Sequence, residues 1–273
     1  MRVALIQMAI ELGKPGKNFE KAKSMINAAV DADLIILPEL WSCGYDFDRL
    51  QEHAEESHHI IKQLSSLAKE NVLHIICGSL PILSRGKVYN SSIVIDSNGE
   101  RSGSYQKIHL FPNLQEPQYF TPGDMILPIE TALGKLGVLI CFDLRFPELA
   151  RTYSSSETKL IIVPAQWPAE RIDHWRLFLQ ARSLENQLFM VGVNSVGKNK
   201  TMIAGGHSMV VSPRGEILSE GGTREKIVRA DFELGTVNLV RNEFRVWRSR
   251  RRNLYQINYC YPLQSGQSDP QSE

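Results

Sequence analysis

The stretch Leu34-Ile-Ile-Leu-Pro38-Glu39-Leu-Trp41 returns about 120 residues later as Leu160-Ile-Ile-Val-Pro164-Ala165-Gln-Trp167. Glu70-Asn71-Val-Leu73 is echoed by Glu185-Asn186-Gln-Leu188, and Ser92 to Gly99-Glu100 by Ser208 to Gly215-Glu216, in the same order and at nearly the same spacing. Buried strands resemble one another in any protein, but shared Pro, Trp, Glu-Asn and Gly-Glu punctuation is not something burial alone selects. The sequence therefore reads as an internal duplication. Each α/β half has a sheet it cannot cover alone, so the two sheets are expected to press together with helices outside, related by a pseudo-two-fold.

Within the first half, apolar runs of strand length fall at residues 3–8, 34–38, 73–78 and 92–96, and helical spacing at 18–32 and 58–70. Ser97-Asn98-Gly99-Glu100 suits a hairpin turn. Residues 103–112 join the halves. Downstream of Asp231 the chain reads as irregular and polar. Residues 1–255 are expected to form one domain, with Phe244 and the aromatic and basic residues up to Tyr255 docked against the sandwich or a second subunit. Residues 256–273 read as a partly disordered tail.

Ligands of such sheets sit beyond the carboxyl ends of the strands. Glu39 lies at one such end. Ala165 occupies the matching position, so the scaffold itself does not demand an acid. Cys141 ends a second run, Leu136 to Cys141, and Pro147-Glu148 six residues on opens a helix. A thiol in that bend is a mounted nucleophile whose thiolate the helix start can stabilise; the bland reading is a small buried core residue. Glu39, behind four apolar residues and a proline, leaves water poorly, which suits a general base. With Lys107 these residues supply base, nucleophile and cation for an oxyanion.

Other chemistries find less support. A formal net charge of +1 argues against nucleic acid or an anionic membrane as partner, in spite of the run Arg245 to Arg252. The four cysteines show no C-x-x-C, and His53, His58 and His59 lack ligand spacing, so no metal is expected. Met1 leads straight into a strand without a leader pattern, which makes the cytoplasm the expected location. G-x-S-x-G, the full phosphate loop G-x-x-x-x-G-K-[ST] and G-x-G-x-x-G are all missing. A Cys–His pair using His109, His174 or His207 stays open on the residues alone.

Pro38-Glu39-Leu, Tyr105-x-Lys107-x-His109-Leu-Phe and Ile140-Cys141-Phe-Asp-Leu-Arg145-Phe-Pro-Glu148 resemble the signature blocks of the nitrilase superfamily of carbon–nitrogen hydrolases, and the likeness runs from Val3 to Tyr255. The resemblance implies a four-layer αββα sandwich, homodimers, no cofactor, Glu39 as base, Lys107 and the Phe142 N–H as oxyanion partners, Cys141 as nucleophile and Glu116 as a second active-site acid. Glu39-Leu-Trp41-Ser-x-Gly44-Tyr45, Asp143-x-Arg145 and Gln166-Trp167-Pro168 with Asp173-His174-Trp175 are most similar to the ω-amidase group, which implies a small-molecule amide such as 2-oxoglutaramate as substrate. Gln115 departs from that pattern, because relatives often carry an acid there. Arg145 is then either a clamp for a substrate carboxylate, with Trp167 and His174 beside it, or a structural partner of Glu148 or another acid. An N-carbamoyl amidohydrolase and a non-catalytic binding module on this fold are the alternatives.

Overall fold

In a computed structural model, which describes residues 1–198, 202–251 and 254, the first half runs β1 (Arg2–Gln7), α1 (Pro15–Asn27), β2 (Leu34–Ile36), α2 (Leu50–Asn71), β3 (His74–Ile76), β4 (Leu80–Ser84), β5 (Lys87–Ile95) and β6 (Arg101–Gln106). A linker carrying the short helix α3 (Glu116–Tyr119) leads to β7 (Ile129–Thr131), β8 (Gly134–Val138), α4 (Pro147–Ser155), β9 (Leu160–Ala165), α5 (Ile172–Asn186) and β10 (Phe189–Asn194). There follow β11 (Val196–Lys198), β12 (Ile203–Gly205), β13 (Met209–Val211), β14 (Ile217–Glu220), β15 (Lys226–Asp231) and α6 (Thr236–Glu243).

The two large sheets repeat one pattern. β1, β2 and β3 are parallel neighbours and β3 meets β5 antiparallel; β8, β9 and β10 are parallel neighbours and β10 meets β13 antiparallel. The Leu34 and Leu160 runs occupy the same place in the two sheets, as the repeated sequence requires. Each sheet also gains an antiparallel edge beside its first strand, β7 against β8 and β15 against β1. The second edge joins the chain's two ends: the Met1 ammonium donates to Phe232 O at 2.9 Å, and Phe232 N to Met1 O at 3.0 Å.

Central strands buried on both faces read as unbroken apolar runs. Val3, Leu5, Leu34 and Ile36 pack in one cluster with Val138, Ile162 and Val191 of the other sheet. Ala4, Ile6 and Ile35 point the other way, onto Phe19, Ala22 and Ile26 of α1 and Ile60 and Leu64 of α2. Each large side chain so buried contributes roughly 1.5 to 3 kcal/mol, and only helices outside both sheets supply enough cover. The architecture is the α/β sandwich expected.

Two local expectations change. The helix expected at 18–32 starts earlier, because Pro15 presets its first turn, and stops at Asn27. The segment after Asp231, read as irregular, forms α6, whose Val237 and Val240 bury one face. The chain beyond α6 stays against the second half as far as it is described: Gln187 Nε2 donates to Phe244 O at 2.8 Å, and the Arg241 guanidinium lies 5.1 Å from the Trp247 ring centre. Tyr255 and the tail at 256–273 lie outside the described residues. Among the described residues no helix is long and apolar enough to cross a membrane.

Candidate active site

β2 runs out through Leu37 and Pro38 into Glu39, which is fully buried. The strand end is pressed close to its neighbour: Gly78 has φ +61°, and any Cβ there would overlap Pro38 O, so the position requires glycine. Glu39 reaches no water, and each carboxylate oxygen is met by donors instead. Lys107 Nζ (2.8 Å) and Asn90 Nδ2 (3.0 Å) donate to Oε1; Tyr45 OH and Gln166 N, both at 3.0 Å, donate to Oε2.

Lys107 follows β6 and is equally buried. Its ammonium also donates to both oxygens of Glu116, at 2.9 and 2.7 Å, and Glu116 Oε2 accepts the Phe111 N–H at 2.6 Å. Burial opposes the Lys107 charge, but Glu116 and then Glu39 outweigh it and hold its proton well above the usual lysine value. For Glu116 burial wins over the attraction of Lys107 and pushes the carboxyl up. With both carboxylates ionised, two negative charges face one ammonium. That excess makes the cluster receptive to a proton.

Cys141 opens a single 3-10 turn (Cys141–Arg145) between β8 and α4, whose first residue is Pro147. Its φ of +47° lies in the left-handed region, which costs a non-glycine residue roughly 1 to 3 kcal/mol and persists only where its surroundings hold it. Asp143 does so. Fully buried, it accepts Ile140 N (3.1 Å), Tyr105 OH (2.8 Å) and His109 N (2.8 Å), and its Oδ1 lies 3.0 Å from His109 Nδ1. The His109 ring stacks on Phe146 with 3.5 Å between centres. Asp143 thus ties the nucleophile's turn to the segment that delivers Lys107.

At Cys141 the stabilisation that a helix start can give a thiolate is outweighed. Burial first, and the Glu39 carboxylate next, hold the Cys141 proton well above the usual thiol value, with Lys107 opposing. The positive end of one short turn cannot offset the loss of water beside two acids. Cys43 and Cys77 are buried as well, Cys43 pushed up to about 12 by burial, and neither lines the cleft over Cys141.

A narrow cleft over Cys141 is walled by Phe111, Phe142, Gln166, Trp167 and Pro168, with Arg145 and Arg171 also lining it. Arg145 makes no ion pair with Glu148; its guanidinium lies 4.8 Å from the Trp167 ring centre and 5.3 Å from that of Phe178. His174 is not in the cleft. It is exposed on α5, its ring centre 6.2 Å from that of Phe178, because the chain turns into the helix at Ile172 and presents Arg171 to the cleft. His207 pairs with Glu220 at 2.7 Å and His109 with Asp143, so neither partners the thiol. Among the described residues no group of three or more His, Cys, Asp or Glu could hold a metal ion. Tyr45, Asn90, Gln166, Asp143 and Arg171 join the site unforeseen. Tyr45, Asp143 and Gln166 stood inside quoted motifs, whereas Asn90, on β5, carried no signal of its own.

The pattern of the carbon–nitrogen hydrolase family matches residues 2–242. The chain is 36% identical to a 2-oxoglutaramate amidase of Bacillus subtilis (strain 168), over 93% of this chain and 98% of that one. It is 33% identical to the omega-amidase NIT2 of Homo sapiens, over 96% and 99%. A solved mutant of the amidase from Nesterenkonia sp. AN1, with the acetamide moiety of fluoroacetamide added covalently at the active-site cysteine, superposes with a TM-score of 0.83 at 26% identity, covering 93% of this chain and 95% of that chain. A buried Glu–Lys–Glu cluster beside a cysteine held on a strained turn, on a duplicated sandwich that the family pattern spans almost from end to end, makes this chain a carbon–nitrogen hydrolase of the nitrilase superfamily.

Proposed function

We propose that the protein hydrolyses the terminal amide of a small carboxylate-bearing substrate, a 2-oxo acid ω-amide such as 2-oxoglutaramate, to the acid and ammonia. One observation carries this reading: the cleft is lined by Cys141 and by two arginines, Arg145 and Arg171. Arg145 has no carboxylate partner among the described residues, and Arg171 has only the solvent-facing Glu170, at 3.5 Å. A bidentate Arg–carboxylate contact supplies both affinity and orientation, so a substrate with an acid at one end would present its amide to the sulfur. The relatives named for 2-oxoglutaramate and ω-amide hydrolysis support the same substrate class.

Cys141 Sγ attacks the amide carbonyl as Glu39 takes the thiol proton, so the sulfur carries full negative charge only as the S–C bond forms. The carbonyl electrons move onto oxygen, toward the Lys107 ammonium and the Phe142 N–H, which belongs to a first helical turn whose N–H groups have no acceptor within the helix. Glu39 returns the proton to the departing nitrogen, and ammonia leaves a thioester. Water, deprotonated by Glu39 beside Glu116, adds to the thioester carbonyl; expulsion of the sulfur, which regains its proton, frees the acid.

The test is ammonia release from a panel of 2-oxoglutaramate, butyramide, an N-carbamoyl amino acid and a nitrile. We expect kcat/KM for 2-oxoglutaramate to exceed that for butyramide by about a hundredfold or more, the scale of one charge-assisted contact. Preference for the N-carbamoyl amino acid, which also bears a carboxylate, would replace this substrate assignment. No turnover of any member would favour a binding module.

A further inference from the structure

Glu39 is described above as the base that takes the Cys141 proton, and the thiol is within hydrogen-bonding reach of it, yet four other donors already crowd its carboxylate. A carboxylate offers about four lone-pair sites, and here Lys107, Asn90, Gln166 N and Tyr45 fill them, two on each oxygen. Three of these donors are fixed in kind. The ammonium and the main-chain N–H have no acceptor to offer, and turning the Asn90 amide would set its oxygen against two acids, since Nδ2 also faces Glu116 Oε1 at 3.4 Å. Tyr45 alone carries a group that changes from donor to acceptor by rotating about one bond.

We propose that Tyr45 is the proton switch of Glu39, a positioning residue whose hydroxyl hydrogen must turn away from Oε2 before the Cys141 proton can arrive there. In that step the S–H bond breaks, an O–H bond forms on Oε2, the sulfur pair becomes the S–C bond, and Tyr45 keeps its proton while its oxygen accepts a hydrogen bond. When the proton leaves for the nitrogen of the substrate, the hydroxyl turns back and again stabilises the ionised carboxylate. The switch rests on the assignment of Glu39 as base.

The surroundings fix the ring and leave only the hydroxyl hydrogen free. Tyr45 packs edge-on against Phe47 at 5.9 Å, and Phe47 stacks on Tyr119 at 4.3 Å, just beyond the helix start that bears Glu116. The next residue, Asp46, is clamped by Arg49 at 2.7 Å and His53 at 2.8 Å. Lys107, Glu116 and Cys141 are the other titratable groups facing the pair. Burial, and after it the Glu39 charge, keep the phenol protonated well above the usual tyrosine value, so it rotates rather than ionises.

The pH dependence of kcat/KM for 2-oxoglutaramate tests this in wild type, Tyr45→Phe and Glu39→Gln, and with 3-fluorotyrosine placed at residue 45. Removing a donor to the ionised carboxylate should move the acid limb of the Tyr45→Phe profile up by about one pH unit, with the plateau lowered less than about tenfold. The fluorinated ring, a stronger donor, should move the limb down, and it carries the test should Tyr45→Phe not fold. Glu39→Gln should lose more than about a thousandfold at every pH. Acid limbs that superpose on wild type in both residue-45 variants would overturn the switch while leaving the base assignment standing. Turnover by Glu39→Gln would overturn that assignment itself.

Discussion

The two halves of the duplicated scaffold furnish the same positions for different work. Leu5 pairs with Ile36 where β1 meets β2, and Val138 with Ile162 where β8 meets β9. Since the Leu34 and Leu160 runs match residue for residue, Met8 in the first half stands where Cys141 stands in the second, and Glu39 where Ala165 stands. The first half thus has an acid without a thiol at these strand ends, and the second a thiol without an acid. Packing the halves together joins the two. The opposite combination, Met8 with Ala165, is closed off by main chain: Met8 O accepts Val196 N and Ala165 O accepts Ser195 N, both at 3.1 Å. A duplication offers two equivalent places for chemistry, and burial at one of them leaves a single working site. The idle half still serves it, because Gln166, just past β9, gives its N–H to the Glu39 carboxylate and its side-chain amide to Glu39 O, each at 3.0 Å.

Four substitutions break or sharpen this contrast. Cys141→Ala should lower kcat by at least about a thousandfold with no fall in melting temperature, because the strained turn keeps its Asp143 anchors and loses only the sulfur; residual turnover near wild type would place the nucleophile elsewhere. Ala165→Glu puts the first half's acid into the second half, where no ammonium waits for it. An unpaired charge at a fully buried position should cost about 3 to 5 kcal/mol in denaturant unfolding, and an unchanged midpoint would mean that the two strand ends are not alternatives of one design.

Arg145→Leu removes one cation from the lining of the cleft and should cost roughly 2 to 4 kcal/mol in kcat/KM for 2-oxoglutaramate while leaving butyramide nearly unaffected. Equal losses on both amides would make the residue a packing element over Trp167. Met8→Cys gives the first half a thiol at the nucleophile's counterpart. It should remain closed to iodoacetamide while Cys141 is alkylated, and cost only about 1 to 2 kcal/mol of stability from the smaller side chain. Labelling there at a rate comparable to Cys141 would show that the second place is open after all.

The repeated apolar runs and their Pro and Trp punctuation were sufficient by themselves to set the layer order and the equivalence of β2 and β9 in the two sheets, and with the bend after Cys141 they offered Glu39, Lys107 and Cys141 as candidates. Periodicity and turn chemistry are local, and they report which residues are buried and where the chain changes direction. Contacts between halves obey no such spacing. Gln166 N reaches Glu39 across 127 residues and Tyr105 OH reaches Asp143 across 38, distances fixed only when two sheets settle face to face. The same packing sends Arg171 into the cleft and His174 to solvent, folds the polar-looking segment after Asp231 into a helix because two valines find cover, and through burial pushes the Cys141 thiol up. Water is excluded there by residues from both halves, and how little of it remains beside a carboxylate is a property of the assembled site that no stretch of sequence carries alone.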